Sequence, residues 1–581
     1  MQKNPAHHGL DVSRLAAPDK RRYIPPQTDF NDIEHIKTLY TGLMDRPLKN
    51  ADDLEAFLLH RSELEAAARQ HRAVLYIRMT CQTDDPERSA VYRRFIEQIE
   101  PLIEDFDHRL NVTYLAARKR VGQGPASLAV YERKLRADVD LFRRDNIQLQ
   151  AEESLLIQDY QTLTGGLTAT FEGQEQTLSA LQTVLYDTDR TRRENVWRLI
   201  VDCRNSIGDQ LDEIFDKLLD LRNRIAHNAG CGTYRDYKFR QYHRFDYTPE
   251  DCKAFHTAVQ DILVPVQRQM WQRRSEEMDL CALRPWDLLA DPQGRKPLRP
   301  FESPDQFGPA ICQVLKRLDA DLGGQFAEMQ QQGLLDLHSR KGKAPGGYQY
   351  TLDEVRKPFI FMNAAGSDDD VRVLLHEAGH AFHSLACADQ PLVAYRHAPL
   401  EFAEVASMSM ERLAATRLDV LYQPDELKRR RRHVAEMTVR LLLSVAANDA
   451  FQHWLYENPI HTPAQRQAQW VHLQNTYGQD ALDWSGLEEK RGAGWQSILH
   501  FYQVPFYYIE YGIAQLGALA IWQHAQADEK TALNDYKKAI ALGGSCSLPE
   551  LFAVARVPFD FSHAAIGRAA ELLRAEWQSS L

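Results

Sequence analysis

The chain has 581 residues, 44% hydrophobic and 26% charged, with net charge −11 and a pI near 6.0. That is enough apolar material for a large core, and too acidic for general nucleic-acid binding, which needs a basic face. The eight cysteines are scattered with no CxxC pair, which argues against a disulfide framework or a cysteine-based zinc site and fits a reducing, cytoplasmic setting.

The N-terminus, MQKNPAHHGLDVSRLAAPDKRRY, is polar and lacks an apolar h-region. No segment reaches the roughly 18 uninterrupted apolar residues of a membrane span, so neither a signal peptide nor a membrane span is expected. Residues 1–25 read as a polar lead ending at Ile24-Pro25-Pro26, and residues 26–205 as an N-terminal helical region. Leu, Ile, Ala and Tyr recur there at three- and four-residue spacing among many charges. Asp52-Asp53-Leu54-Glu55, Asp84-Asp85-Pro86-Glu87 and Asp187-Thr188-Asp189-Arg190 read as helix starts, with acidic residues at the positive end of the dipole. Tyr92–Val121 reads as one long charged helix of a hairpin.

Phe171-Glu172-Gly173-Gln174-Glu175 reads as a tight hairpin with Gly173 at its tip. After the break at Ala229–Thr233, Thr248 and Pro249 mark the N-cap and first position of another helix. Glu276–Pro300 is proline-rich and linker-like, with Trp286 as a packing point in a short strand or turn. A helix follows from about Ser303 to Gly333. Lys341–Tyr350 is a glycine-rich turn leading into extended chain. Pro358-Phe359-Ile360-Phe361-Met362 is a short β-type run whose leading proline suits an edge strand. Lys428-Arg429-Arg430-Arg431-Arg432 reads as a solvated face rather than a nucleic-acid patch. There are no internal repeats.

The chemistry centres on Val371–Cys387, which contains His376-Glu377-Ala378-Gly379-His380. On a helix, i and i+4 share one face, so two imidazoles can converge on a zinc ion while Glu377 lies beside it as a base for water. A catalytic zinc needs a third protein ligand. His383, one turn beyond His380, continues the stack rather than closing a tetrahedron, which suits a pocket residue better. Glu401, Glu404 and Glu411 lie on the next predicted helix. Glu404 sits among Phe402, Ala403, Val405 and Ala406, where a carboxylate needs a partner or a metal. Glu401 would suit a bond to an imidazole N–H, and Glu411 reads as a solvated helix-face residue. Without a metal, the two histidines would be core residues of an amphipathic helix.

HEAGHAFH with a glutamate 24 residues on resembles the zinc oligopeptidases of the M3 family, on its oligoendopeptidase F-like branch, relatives of thimet oligopeptidase. GGYQY and KPFIFMN before the motif, EFAE after it, HFYQVPFYYIEY, ALGGSCSLPELF, and upstream RNRIAHNAGCGTYRDYKF and RFDYTPEDC extend the likeness from about Phe171 to the C-terminus. The resemblance implies a mostly α fold, a two-lobed helical ellipsoid with a small β-sheet beside the HExxH helix and a deep central channel. It makes residues 206–581 the catalytic metallopeptidase region. It implies one Zn2+ held by His376, His380 and Glu404, with Glu377 as general base, and short peptides as substrates. A peptide would pair with the PFIFMN strand. The family's oxyanion donors, a histidine followed by tyrosines, fall on His500, Tyr508 and Tyr511. The spacing is one residue shorter than in thimet-type relatives, and a family tyrosine position falls near Val504 or Pro505, which leaves Tyr502 or Tyr507 as substitutes. The expectation is an endopeptidase. An exo-acting dipeptidase or carboxypeptidase and a non-catalytic peptide-binding scaffold are the alternatives, and Glu377 speaks against the last, because a structural zinc needs no free carboxylate.

Overall fold

The computed structural model describes residues 10–581 apart from Ala16, Pro18, Asp19 and Gln123, so part of the expected N-terminal lead lies outside the described residues. The chain is mostly α-helical with two small sheets, as the resemblance implied. The elements that matter below are strands β1 (Thr168–Phe171), β2 (Gln174–Thr177), β3 (Leu335–His338), β4 (Tyr348–Leu352) and β5 (Lys357–Ala364). With them come helices α1 (Pro249–Glu277), α2 (Asp368–Ala386), α3 (Leu400–Ala414), α4 (Pro424–Glu457) and α5 (Tyr508–Ala527). No helix among the described residues is long and apolar enough to cross a membrane.

Helix starts follow local chemistry. Asp85 and Asp189 accept hydrogen bonds from the backbone N–H groups of the second and third residues of their helices, and Thr248 with Asp251 forms a capping box around Pro249. Each satisfies amide donors that a helix end leaves without partners. Two expected single helices are broken. Tyr92–Val121 divides into Pro86–Arg94, a π-turn at Phe95–Ile99, and Glu100–Val121; Pro101 cannot donate to the preceding turn, so the ladder slips there. Ser303–Gly333 divides at Asp319, whose extended backbone caps a second helix. Gly323 then meets the Lys316 backbone so closely that a Cβ would lie 2.5 Å from Lys316 Cα.

The chain forms two compact units, each assembled from three separate stretches. The first comprises the described part of Met1–Val139, with Arg299–Leu427 and Gly517–Phe559. Its N-terminal helices bury an apolar cluster that includes Ile36, Leu54, Phe57, Phe95 and Leu110. It also holds the three-stranded sheet, in the order β3-β5-β4. This corrects the edge assignment: β5 is the central strand. Pro358 is tolerated because it lies where only β4 runs alongside, opposite Thr351, whereas β3 joins further on, from Ile360. The edges are β3 and β4. Ser367 and Asp370 then form the capping box that starts α2.

The second unit comprises Asp140–Leu298, Lys428–Leu516 and Asp560–Leu581. The β1–β2 hairpin turns on Glu172 and Gly173, both at positive φ (52° and 80°), as a two-residue hairpin of this hand requires. Trp286 is buried in a 3-10 turn, Pro285–Asp287. The basic run on α4 is a solvated face only in part: Lys428 and Arg431 are exposed. Arg430 and Arg432 are buried. Arg432 donates to Glu436 (2.9 Å) and Glu277 (3.1 Å), and Arg429 to Asp291 (3.0 Å). Glu436 compensates from the same helix, four residues on, whereas Glu277 and Asp291 come from distant segments and are invisible in a local window.

Candidate metal centre

The site in the first unit is built by two helices that touch closely. Gly379, the fourth residue of HEAGH, faces α3: a Cβ there would lie 2.6 Å from Ser407 Cα, 2.8 Å from Ala406 O and 3.1 Å from Met410 Cβ. Only a residue without a side chain permits this approach. The approach carries Glu404 and Glu411, two turns apart on one face of α3, up to the histidines of α2.

His376 and His380 stand one turn apart, with ring centroids 4.9 Å apart and planes at 84°. Glu404 Oε2 lies 3.4 Å from His376 Nε2 and 3.8 Å from His380 Nε2. One donor atom from each of the three residues lies within 4.8 Å of the others. Bonds of about 2.0–2.1 Å to a tetrahedral zinc imply donor–donor edges of about 3.3–3.4 Å. Two imidazole nitrogens and one carboxylate oxygen at these separations therefore fit zinc. Ser407 Oγ lies 3.2 Å from Glu404 Oε2, which holds the carboxylate in place.

His376 Nδ1 is 2.7 Å from Glu411 Oε1. Glu411 is thus the carboxylate that orients an imidazole, not a solvated helix-face residue, and it fills the role expected of Glu401. The spacing of seven residues from Glu404 was the available signal, since seven residues make two turns and return to the same face. Burial works against the His376 imidazolium, but the hydrogen bonds and charges of Glu404 and Glu411 outweigh it and raise its pKa to about 10. His380 is driven down to about 4 by burial, despite Glu404. His383 is pushed to about 3 by burial, and its Nε2 has no hydrogen-bond partner among the described residues.

Glu377 is buried, and burial raises its carboxyl to about 7; the His376 charge opposes the rise and Glu404 adds to it. The Gln349 backbone N–H on β4 hydrogen-bonds this carboxylate and pulls the other way. Gly347, just before β4, lets the strand pass close to the site, because a Cβ there would press on Val373 Cγ1 at 3.2 Å.

The tyrosine segment lies in the second unit. His500 Nε2 is 3.3 Å from the Tyr511 hydroxyl, and the His500 ring is 4.5 Å from Tyr508 and 6.0 Å from Tyr507. Burial raises the Tyr508 phenol, and a hydrogen bond with the Asn448 side chain partly offsets it. The turn between histidine and tyrosines is pinned at Phe506 by two side chains. Phe506 sits at φ 66°, its N–H donates to Gln452 Oε1, and its carbonyl accepts from Arg244 Nη2 at 2.5 Å. Arg244 also donates to Glu510 at 2.6 Å in a fully buried pair. Arg244 was present in the quoted RFDY run, but nothing local marked Asn448 or Gln452. Tyr502 is no substitute donor. It is buried and stacked on Tyr160 with ring centroids 4.0 Å apart, and its hydroxyl donates to Leu211 O at 3.3 Å.

Two histidines and a glutamate gathered around one point, beside a second, helix-borne glutamate, define a candidate metal centre of the HExxH kind. The sequence profile of Peptidase family M3 matches residues 183–569, and the chain belongs to that family. Its relatives put it on the oligoendopeptidase F-like branch. It is 27% identical over 242 residues to oligopeptidase PepF of Bacillus subtilis, a match covering 40% of this chain and 35% of that protein. It is 26% identical over 261 residues to an oligoendopeptidase F homologue of Borreliella burgdorferi, covering 42% of each. These matches span well under two thirds of those relatives. Among solved structures, Pz peptidase A with an inhibitor superposes with TM-score 0.88 at 26% identity, covering 97% of this chain and 99% of that one. Oligoendopeptidase F from Enterococcus faecium, at 15% identity and TM-score 0.62, shares the fold.

Proposed function

We propose that this chain is a zinc-dependent oligoendopeptidase that hydrolyses internal bonds of short peptides. The observation that carries the reading is the convergence of His376, His380 and Glu404 donor atoms within 4.8 Å of one another, beside a buried Glu377 whose carboxyl titrates near 7. These three residues would hold the zinc, which when bound supplies Lewis acidity that makes water a nucleophile at neutral pH. Glu377 takes a proton from the attacking water and returns it to the leaving amine. A group titrating near the working pH serves both steps. Glu411 holds His376 by its Nδ1, fixing which nitrogen faces Glu404. His500, Tyr508 and Tyr511 are the proposed donors to the developing oxyanion. The geometry of their pinned turn supports that role, since preorganised donors act without reorganising during reaction.

β5 is flanked on both sides, so an incoming peptide cannot add to it. β4 has a strand on one side only and leads through Gln349 to Glu377. We therefore assign peptide-backbone pairing to β4. A cytoplasmic setting is supported by cysteines of which none is disulfide-bonded.

Digestion of a peptide library read by mass spectrometry, with and without a chelator, tests this reading. The expected result is cleavage at internal bonds that stops on chelation and returns with zinc. Glu377→Gln should retain zinc and lose cleavage by about 10²–10⁴-fold, whereas His376→Ala should lose both. Release of terminal residues alone would establish exo-action, and chelator-insensitive cleavage would exclude the metal mechanism.

A further inference from the structure

A second set of ligating side chains lies in the other unit, apart from the HExxH motif in sequence. Cys252 and His256 stand one turn apart on α1, and Asp449 and His453 one turn apart on α4. Spacing of i and i+4 puts each pair on one face of its helix, and the two faces meet. Donor atoms of Cys252, Asp449 and His453 lie within 4.8 Å of one another. His256 stands beside this group rather than in it: its Nε2 hydrogen-bonds Asp449 Oδ2 at 2.8 Å, with its ring 5.6 Å from that of His453. All four side chains are buried.

Hydrogen bonding within the protein accounts for only part of this cluster, the His256–Asp449 bond. Asp449 Oδ1 and His453 Nδ1 have no hydrogen-bond partner among the described residues. His453 Nε2 is 3.3 Å from Asp449 Oδ2, in an orientation that makes no hydrogen bond. Buried polar atoms left in this way are costly. A divalent cation resolves the arrangement electrostatically: the Cys252 thiolate and the Asp449 carboxylate neutralise it, and the His453 imidazole completes a three-residue set of one nitrogen, one oxygen and one sulfur, with His256 hydrogen-bonded to the carboxylate. That donor set, of intermediate softness, suits zinc and metals like it.

We propose that Cys252, Asp449 and His453, with His256 holding the Asp449 carboxylate, form a second, structural metal site that binds a zinc-class divalent cation and clamps α1 to α4. The three donors and His256 are all buried between two helices of one unit, so the role the site would serve is structural. Its position gives it a task. The Phe506 ring packs 5.5 Å from His453, and the residue before it on α4, Gln452, accepts the Phe506 N–H. A fixed α4 therefore supports the turn that carries His500, Tyr508 and Tyr511.

The test uses the full chain stripped of metal and reloaded with Co2+. A cysteine thiolate on cobalt gives a near-ultraviolet charge-transfer band, and the His376, His380 and Glu404 set contains no thiolate. The proposal expects the band in the unmodified chain, its survival in the His376→Ala/His380→Ala double variant, and its loss in Cys252→Ser. Elemental analysis of the zinc-loaded protein should find two zinc ions per chain, falling to one in Cys252→Ser and to one in the double variant. A cobalt-loaded chain with no thiolate band, or a band that persists in Cys252→Ser, would overturn the proposal. The spectrum of the unmodified chain decides the matter even if a variant does not fold. A failure here leaves the peptidase reading untouched, because that reading rests on other ligands.

Discussion

Gly379→Ala isolates the helix contact on which the candidate centre depends. The added Cβ would meet Ser407 Cα at 2.6 Å and Ala406 O at 2.8 Å, both backbone atoms that no rotamer change can move. Carbon–carbon contacts are comfortable at about 3.5–4.0 Å, so α3 must retreat by about 1 Å. Overpacking of this kind costs about 1–3 kcal/mol, while alanine in a helix interior regains about 1 kcal/mol over glycine. The net expectation is a loss of between zero and about 2 kcal/mol, read as a lowered urea midpoint. The effect on metal should be larger. Metal ligands tolerate displacements of about 0.2 Å, and α3 carries both Glu404 and Glu411. Zinc affinity, measured by competition with a chromophoric chelator, should fall by at least the roughly 10–100-fold typical of losing one supporting contact. If Gly379→Ala raises the urea midpoint and leaves zinc affinity unchanged, the helix-propensity gain is the whole effect, and the idea that this glycine sets the position of Glu404 is wrong.

Other outcomes follow from the same geometry. Glu411→Gln keeps an acceptor for His376 Nδ1 but removes the charge, and zinc affinity should drop by about 10–100-fold; an unchanged affinity would return Glu411 to the surface role its sequence suggested. The acidic limb of kcat/KM should report Glu377. Its carboxyl, raised to about 7 by burial, is active as the carboxylate, so activity rises with pH through that value and is lost below it. A bound dication favours the carboxylate and moves the limb to or below about 7. A limb unaffected by any change around Glu377 would count against its role as base. Tyr511→Phe should lower kcat by about 10²–10³-fold with little change in KM, as removal of one oxyanion donor does; an unchanged kcat would take Tyr511 out of that role.

The HExxH helix was legible because its information is local. Two histidines at i and i+4, an adjacent glutamate and an apolar run specify one helix face without reference to anything distant. The same holds for the capping residues Asp85, Asp189 and Thr248, and for the Glu172-Gly173 turn. The division of labour among Glu401, Glu404 and Glu411 was only half legible. Apolar neighbours singled out Glu404, whereas Glu411 stands beside Arg412 and looked like a surface residue until α3 was docked on α2.

By itself, the sequence determined the identity of the elements and the local chemistry of the HEAGH face, because periodicity, caps and i,i+4 spacing act within a few residues. Tertiary structure alone decided which strand lies at the centre of the sheet. It also decided that Gly379 admits α3, that Arg429 and Arg432 of the basic run meet the carboxylates of Asp291 and Glu277, and that Cys252 and His256 meet Asp449 and His453 nearly 200 residues away. The physical reason is common to all of these. Each is a pairing between segments far apart in the chain, set by how closely two backbones can approach and by which buried charges must be compensated, and neither quantity is written into any short window of residues.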